Sequence, residues 1–176
     1  MRTWRASAHA WHRERGSQLV ELAFAVPVLL LLAVGIWDIG AGFGLKQKLT
    51  NAAREGARII VSSPGVNCNL ALVSQCPSAP VTAAVNAVVQ YLDEAGLNAS
   101  CLTGSTPSST GSPWQYEWTY TCNGITLDIN HGATVGGTAL TEVTLTYPIT
   151  WTQGQLLPAP VPAAITTKVD MANLAP

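Results

Sequence analysis

The sequence predicts an α+β protein. A long N-terminal transmembrane and amphipathic helix packs on a small domain holding a second helix and an antiparallel sheet of about four strands. Three observations carry this. An apolar run from Leu22 to Leu45 is interrupted only by Asp38 and passes without a stop signal into an amphipathic segment. Residues 78–96 repeat apolar side chains at helical spacing. Four runs with two-residue alternation fill the C-terminal part of the chain, the first two joined by Asn123-Gly124.

Leu22 to Trp37 contains no charge and would span about 24 Å as a helix, short of the roughly 30 Å hydrocarbon core. Carried on to Leu45 the span is about 36 Å and suffices. Pro27 lies inside it, which membrane helices tolerate when neighbours satisfy the freed carbonyl. Gly40 and Gly44 have the spacing that allows close helix approach, a weak signal alone. Beyond Leu45 the apolar positions Leu49, Ala52, Ala53, Gly56, Ile59 and Ile60 recur at helical spacing, with Lys48, Asn51, Glu55 and Arg58 elsewhere on the wheel. Ser62-Ser63-Pro64-Gly65 ends the pattern. One helix is therefore expected from Ser17 to Val61, about 67 Å long.

Ser78 to Gly96 reads as the second helix. Ser78 is placed as its cap, Pro80 in its first turn and Gly96 just past its end. Val81, Val85, Val88 and Leu92 form its apolar stripe. Thr103 to Pro113 is rich in Ser, Thr and Gly and is expected to be an exposed loop. The strands are expected at Gln115–Cys122, Ile125–Asn130, Thr141–Tyr147 and Ala164–Met171, each with one apolar face. Asn123-Gly124 is a two-residue hairpin signal. Trp118 faces inward by alternation, whereas Trp114 and Trp151 lie at strand margins, where aromatics serve either the core or a contact patch. The expected organisation is a leader at 1–16, a transmembrane part at 17–45, its amphipathic continuation at 46–62 and an α+β domain at 63–176.

The chain has 176 residues, 48% hydrophobic and only 11% charged, the opposite of a disordered balance. A formal net charge of -1 gives no footing for a nucleic-acid surface. The charge is uneven: Arg2, Arg5, Arg13 and Arg15 face only Glu14 before residue 17, and the remainder is net acidic. A basic leader on an acidic chain fits a removable n-region. Basic residues also follow the apolar run, at Lys46, Lys48, Arg54 and Arg58, so charge bias alone does not orient it. An ordinary signal peptide cut near Ala33-Val34-Gly35 is the plain alternative. Glu21 inside the hydrophobic region and the long helical continuation argue against it.

The four cysteines, Cys68, Cys76, Cys101 and Cys122, all follow the apolar run, and an even number there suggests an oxidising compartment. Four cysteines allow three connectivities and sequence does not choose. Neighbour pairing, Cys68–Cys76 and Cys101–Cys122, is preferred because it closes the shortest loops; reduced, buried thiols are the alternative. No pair has metal-binding C-x-x-C spacing and His131 is isolated, so no metal site is expected.

Catalytic signatures are missing from the sequence: it holds no G-x-S-x-G elbow, P-loop or H-E-x-x-H. His131 stands in an expected loop as a solvated side chain. Asp128, Glu142 and Asp170 occupy polar strand faces and read as solvent-exposed rather than cation-binding. No enzyme activity and no cofactor is expected. What stands out is Glu21, a carboxylate within an apolar run, which costs about 2.5–3.5 kcal/mol at a membrane helix centre and less near an end. It lies five residues after Gly16, which closes the basic leader.

That Gly-x-x-x-x-Glu spacing resembles the processing site of type IV pilins and pseudopilins. The wider stretch resembles the TadE-like family of pseudopilins of the Tad, or Flp-type, pilus system. It runs Arg15-Gly16-Ser17 to Glu21, through Pro27, then Asp38-Ile39-Gly40, then Asn51 to Arg58. A late strand, Val143 to Pro148, matches as well. Leu22 and Phe24 stand where the family usually places an aromatic beside the acid, and Val66 to Ala139 carries no family motif. The resemblance implies that a membrane prepilin peptidase cuts between Gly16 and Ser17. It further implies that Glu21 neutralises an N-terminal amine, often a neighbour's, as helices assemble. The implied partners are that peptidase, an inner-membrane assembly platform, other pilins or pseudopilins and membrane lipid, with no nucleic acid. The implied location is the bacterial inner membrane, single-pass, with the C-terminal domain periplasmic or extracellular in a pilus. The implied role is pilus biogenesis and adherence. A membrane-tethered periplasmic binding module is the alternative.

Overall fold

A computed structural model of the chain describes residues 11–63, 79–112, 115–135, 138–149 and 163–173. They fall into two units, residues 11–40 and the rest. The first is the opening part of helix α1, which runs Trp11–Ser62, six residues earlier than the expected start at Ser17. Its large apolar side chains are exposed, with Phe24 at 77% and Trp37 at 76%. Gly16–Ser62 is long and apolar enough to cross a membrane, at a mean hydropathy of 2.6 in its richest window. A soluble helix would not present such a surface to water. This part of α1 is a candidate membrane span.

The second unit is α+β and contains a five-stranded antiparallel sheet, one strand more than expected. The strands are β1 (Ser108–Ser112), β2 (Gln115–Cys122), β3 (Ile125–Val135), β4 (Thr138–Pro148) and β5 (Ala164–Ala172), ordered β1-β2-β3-β4-β5 as a meander. The additional strand lies inside the segment Thr103–Pro113, expected as a loop. Ser109 pairs with Trp118 and Thr110 with Glu117 across the β1–β2 ladder. Composition favoured a turn there, but the free edge of β2 supplies hydrogen-bond partners, and an edge strand is the place where a polar, apolar-poor segment is stable.

Asn123 at φ 48° and Gly124 at φ 79° form the β2–β3 turn, both left-handed as a type I′ hairpin requires. β3 continues past its expected end at Asn130. His131 therefore lies in a strand rather than a loop, paired with Tyr116 and Thr141. The register shifts between His131 and Ala133, where Gly132 at φ 87° takes up the additional residue of a bulge.

Period-two alternation puts matching rows on one face. Trp118, Ile129, Val143 and Val169 stand in register across β2 to β5, as do Tyr120, Leu127, Leu145 and Thr167. Helix α2 (Ala79–Glu94) and residues 45–60 of α1 cover this face. Val81, Val85, Val88 and Leu92 of α2 are buried with Leu49, Ala52, Ala53, Ala57 and Ile60 of α1. Burial of each large apolar side chain here contributes about 1.5–3 kcal/mol. Gly56 is buried where the two helices meet, and a Cβ there would come 2.7 Å from Val88 Cγ2. α2 ends in a Schellman arrangement: Gly96 takes φ 81°, its N–H donates to the Asp93 carbonyl, and Leu97 N–H donates to the Leu92 carbonyl. Lys48 Nζ reaches the Ala95 carbonyl at 2.8 Å, placing a cation of α1 on the C-terminal end of α2. Ser78, the expected cap of this helix, lies outside the described residues.

The opposite sheet face is polar. Its acids do not converge on a vacant cation position. Lys168 stands between Glu142 at 2.6 Å and Asp170 at 4.0 Å, and the hydrogen bond from Lys168 to Glu142 raises the lysine pKa. Asp128 pairs in register with Thr144, a row away from Glu142.

Candidate functional site

Gly16, Ser17 and Glu21 lie on consecutive turns of α1, all solvent-exposed. Ser17 and Glu21 are four residues apart and therefore share one helix face. The helix forms here because Leu, Val, Ala and Glu are good or adequate helix formers and no proline intervenes before Pro27. Leu19, Val20, Leu22 and Phe24 surround Glu21 and are all exposed. Among the described residues Glu21 has no hydrogen-bond or ion-pair partner. Asp38, the other carboxylate of the apolar run, differs: it is only 6% exposed. One acid of this run is withdrawn from the surface within its own chain, and the other is presented outward on an apolar helix.

Gly40 is exposed and a Cβ there, or at Gly44, would meet nothing within 4 Å. Their spacing is not used for packing within the described chain.

Cys101 and Cys122 form a disulfide, with Cα atoms 6.0 Å apart and 21 positions apart in sequence. It ties a 3-10 turn, Ser100–Leu102, to the end of β2. Cys68 and Cys76 lie outside the described residues, as do Trp114 and Trp151. Replacing Cys101 and Cys122 together by serine is expected to lower domain stability by about 3 kcal/mol, the loop-closure value for this length. Chemical denaturation under oxidising conditions measures it, and an unchanged midpoint would show the bond to be dispensable.

A polar cluster at one end of the core escaped sequence reading because it needs three strands in register. Thr141 is fully buried. Its hydroxyl donates to Asn173 Oδ1 at 2.6 Å and stands 2.8 Å from His131 Nδ1, while Asn173 N–H donates to the Ala139 carbonyl. With the hydroxyl proton committed to Asn173, Nδ1–H of a neutral His131 is the donor to Thr141. Burial lowers the His131 pKa. Folding therefore favours neutral imidazole. This contribution is complete above the unfolded histidine value of about 6.5 and is lost as pH falls through the folded pKa. The denaturation midpoint should drop between pH 7.5 and about 5, and His131→Gln should flatten that dependence. An identical pH profile in the variant would assign the effect elsewhere.

Other shifts have simple causes. Desolvation pushes Tyr120 up to about 12. A side-chain hydrogen bond from Arg58 lowers Glu55, the Arg58 Nε–Glu55 Oε2 distance being 3.0 Å on the exposed face of α1. Neither creates a reactive group. No nucleophile with an adjacent base is assembled among the described residues, and what the geometry offers is an exposed acid on an exposed apolar helix.

Residues 16–58 match a family model described as TadE-like protein. No curated protein and no solved structure matches the chain. The match begins at Gly16, includes Glu21, and ends at Arg58 within the part of α1 that packs on the sheet. From Gly16 to Arg58 this chain is similar to the TadE-like family.

Proposed function

We propose that the protein is a minor pseudopilin-like structural subunit of a Tad/Flp-type pilus assembly system, without catalytic activity. One observation carries the reading: Glu21 is exposed, without a partner among the described residues, on a helix whose surrounding surface is apolar. Such a carboxylate persists in lipid when a cation from another chain meets it, because pairing offsets desolvation. Cleavage between Gly16 and Ser17 by a prepilin peptidase creates that cation, the new N-terminal amine, one helical turn from Glu21. The TadE-like match over this stretch supports the same reading. The disulfide Cys101–Cys122 fits an oxidising compartment and so supports a periplasmic sheet domain with the leader on the cytoplasmic side. An inner-membrane assembly platform and other pilins are the partners this requires, and adherence is the expected phenotype.

Substituting Gly16 with a bulky residue such as phenylalanine tests the processing step. The membrane form should keep residues 1–16, visible as an increased intact mass, and pilus-dependent adherence should fall. If both mass and adherence match wild type, the protein is a simple membrane tether for a periplasmic binding domain, and the pseudopilin reading fails.

A further inference from the structure

Four basic residues follow the apolar run on α1, and the structure divides them into two pairs. Lys48 donates to the Ala95 carbonyl and Arg58 pairs with Glu55. Lys46 and Arg54 are exposed and have no ion-pair partner among the described residues. These two line an open depression of about 430 Å³, together with Phe43, Gln47, Thr50 and Asn51. Lys46, Thr50 and Arg54 are spaced i, i+4, i+8 and stack on one helix face. The Thr50 hydroxyl lies 2.8 Å from both the Lys46 carbonyl and Thr167 Oγ1, so this wall of the depression is held to β5.

The position along the helix says what the cations face. Phe43, 66% exposed, belongs to the last turn of the apolar run, and Lys46 is the first residue beyond it. Helix side chains tilt toward the N-terminus, here toward the apolar run, and long basic side chains extend along apolar surface to a polar boundary. Arg54, about 12 Å further along the axis than Lys46, therefore reaches back toward the same boundary. Gln47 and Asn51 add uncharged donors between the two cations. The arrangement is apolar at the membrane end, cationic above it, and free of carboxylates.

The geometry points to a binding site for the phosphate-bearing headgroup of an anionic phospholipid, with Lys46 and Arg54 contacting the anion and Phe43 beside the first acyl carbons. This rests on α1 being a membrane span, and it gives the basic residues beyond that span a role separate from orientation.

The test uses the full chain in vesicles of phosphatidylcholine containing a minor fraction of phosphatidylglycerol. Flotation of the chain with the vesicles checks insertion. Lipid retained on extraction into polymer-bounded discs is then quantified. Wild type should enrich phosphatidylglycerol over the bulk ratio, by about fivefold per cation. Lys46→Gln with Arg54→Gln should return the ratio to bulk, whereas Arg58→Gln, which removes a basic charge outside the depression, should leave the enrichment in place. Inorganic phosphate should not displace the lipid when compared with chloride at matched ionic strength. If the chain floats but shows no enrichment, if Arg58→Gln abolishes it equally, or if phosphate displaces the lipid, the site is not a headgroup site. A chain that fails to float overturns the membrane reading, and with it this one.

Discussion

Glu21→Ala is expected to leave cleavage after Gly16 intact and to stop assembly. The alanine removes the only acid near this end of the apolar run, so the helix enters lipid more readily than wild type. Gly16 and Ser17, the proposed cleavage site, stay on the same exposed helical turn. What the variant lacks is the anion that, in the proposed role, meets an amine in the assembled state. Removing one member of a buried pair leaves the other charge uncompensated, at a cost of about 3–5 kcal/mol per contact, so the assembled fraction should fall by roughly two orders of magnitude or more. Glu21→Gln keeps the side-chain shape and should fail in the same way, which separates charge from packing. Intact mass reports cleavage, and a pilus preparation or adherence assay reports assembly. Normal piliation in both variants would remove the ion-pair argument while leaving the processing site standing.

Gly56→Leu should be the most damaging single change in the sheet domain. Even a Cβ at this position stands 2.7 Å from Val88 Cγ2, and Val88 is fully buried. Gly56→Ala gains about 1 kcal/mol of helix propensity but loses about 1–3 kcal/mol to overpacking, for a modest net loss. Leucine adds three more carbons at the same point and must part α1 from α2, so a loss of about 3 kcal/mol or more is expected. Val88→Ala makes a cavity of its own, yet it should relieve Gly56→Ala. The cycle of the two single variants and the double should show favourable coupling, read from thermal or denaturant midpoints of the chain in detergent. Strictly additive losses would mean that the close approach does not set the spacing of these helices.

Both predictions begin from glycines and an acid that the sequence displays, but they differ in how far the sequence could explain them. Gly16 and Glu21 are legible because their relation is local: five residues of one helix, a charge step and an apolar run. Gly56 is visible only as one more small residue on an apolar stripe. Its importance depends on Val88, which is 32 residues distant and comes near only when α2 crosses α1.

The same division runs through the fold. The long helix, the α2 stripe with its Gly96 stop, and the Asn123-Gly124 hairpin are set by interactions within a few residues, and periodicity with turn chemistry suffices to read them. β1 is different. Ser108–Ser112 has no apolar face to alternate, and it becomes a strand because β2 has a free edge. His131 likewise has no local cue; a bulge at Gly132 and neighbours in β2 and β4 place it in the sheet. The division of the four cations on α1 is also beyond sequence. Lys48 and Lys46 look alike in the chain, and only the Ala95 carbonyl, just past the end of α2, engages one while the other lines the depression. Local free energy thus settles which segments are helices and hairpins, while edge pairing, close helix crossing and the partners of individual charges are long-range and exist only once the chain has closed on itself.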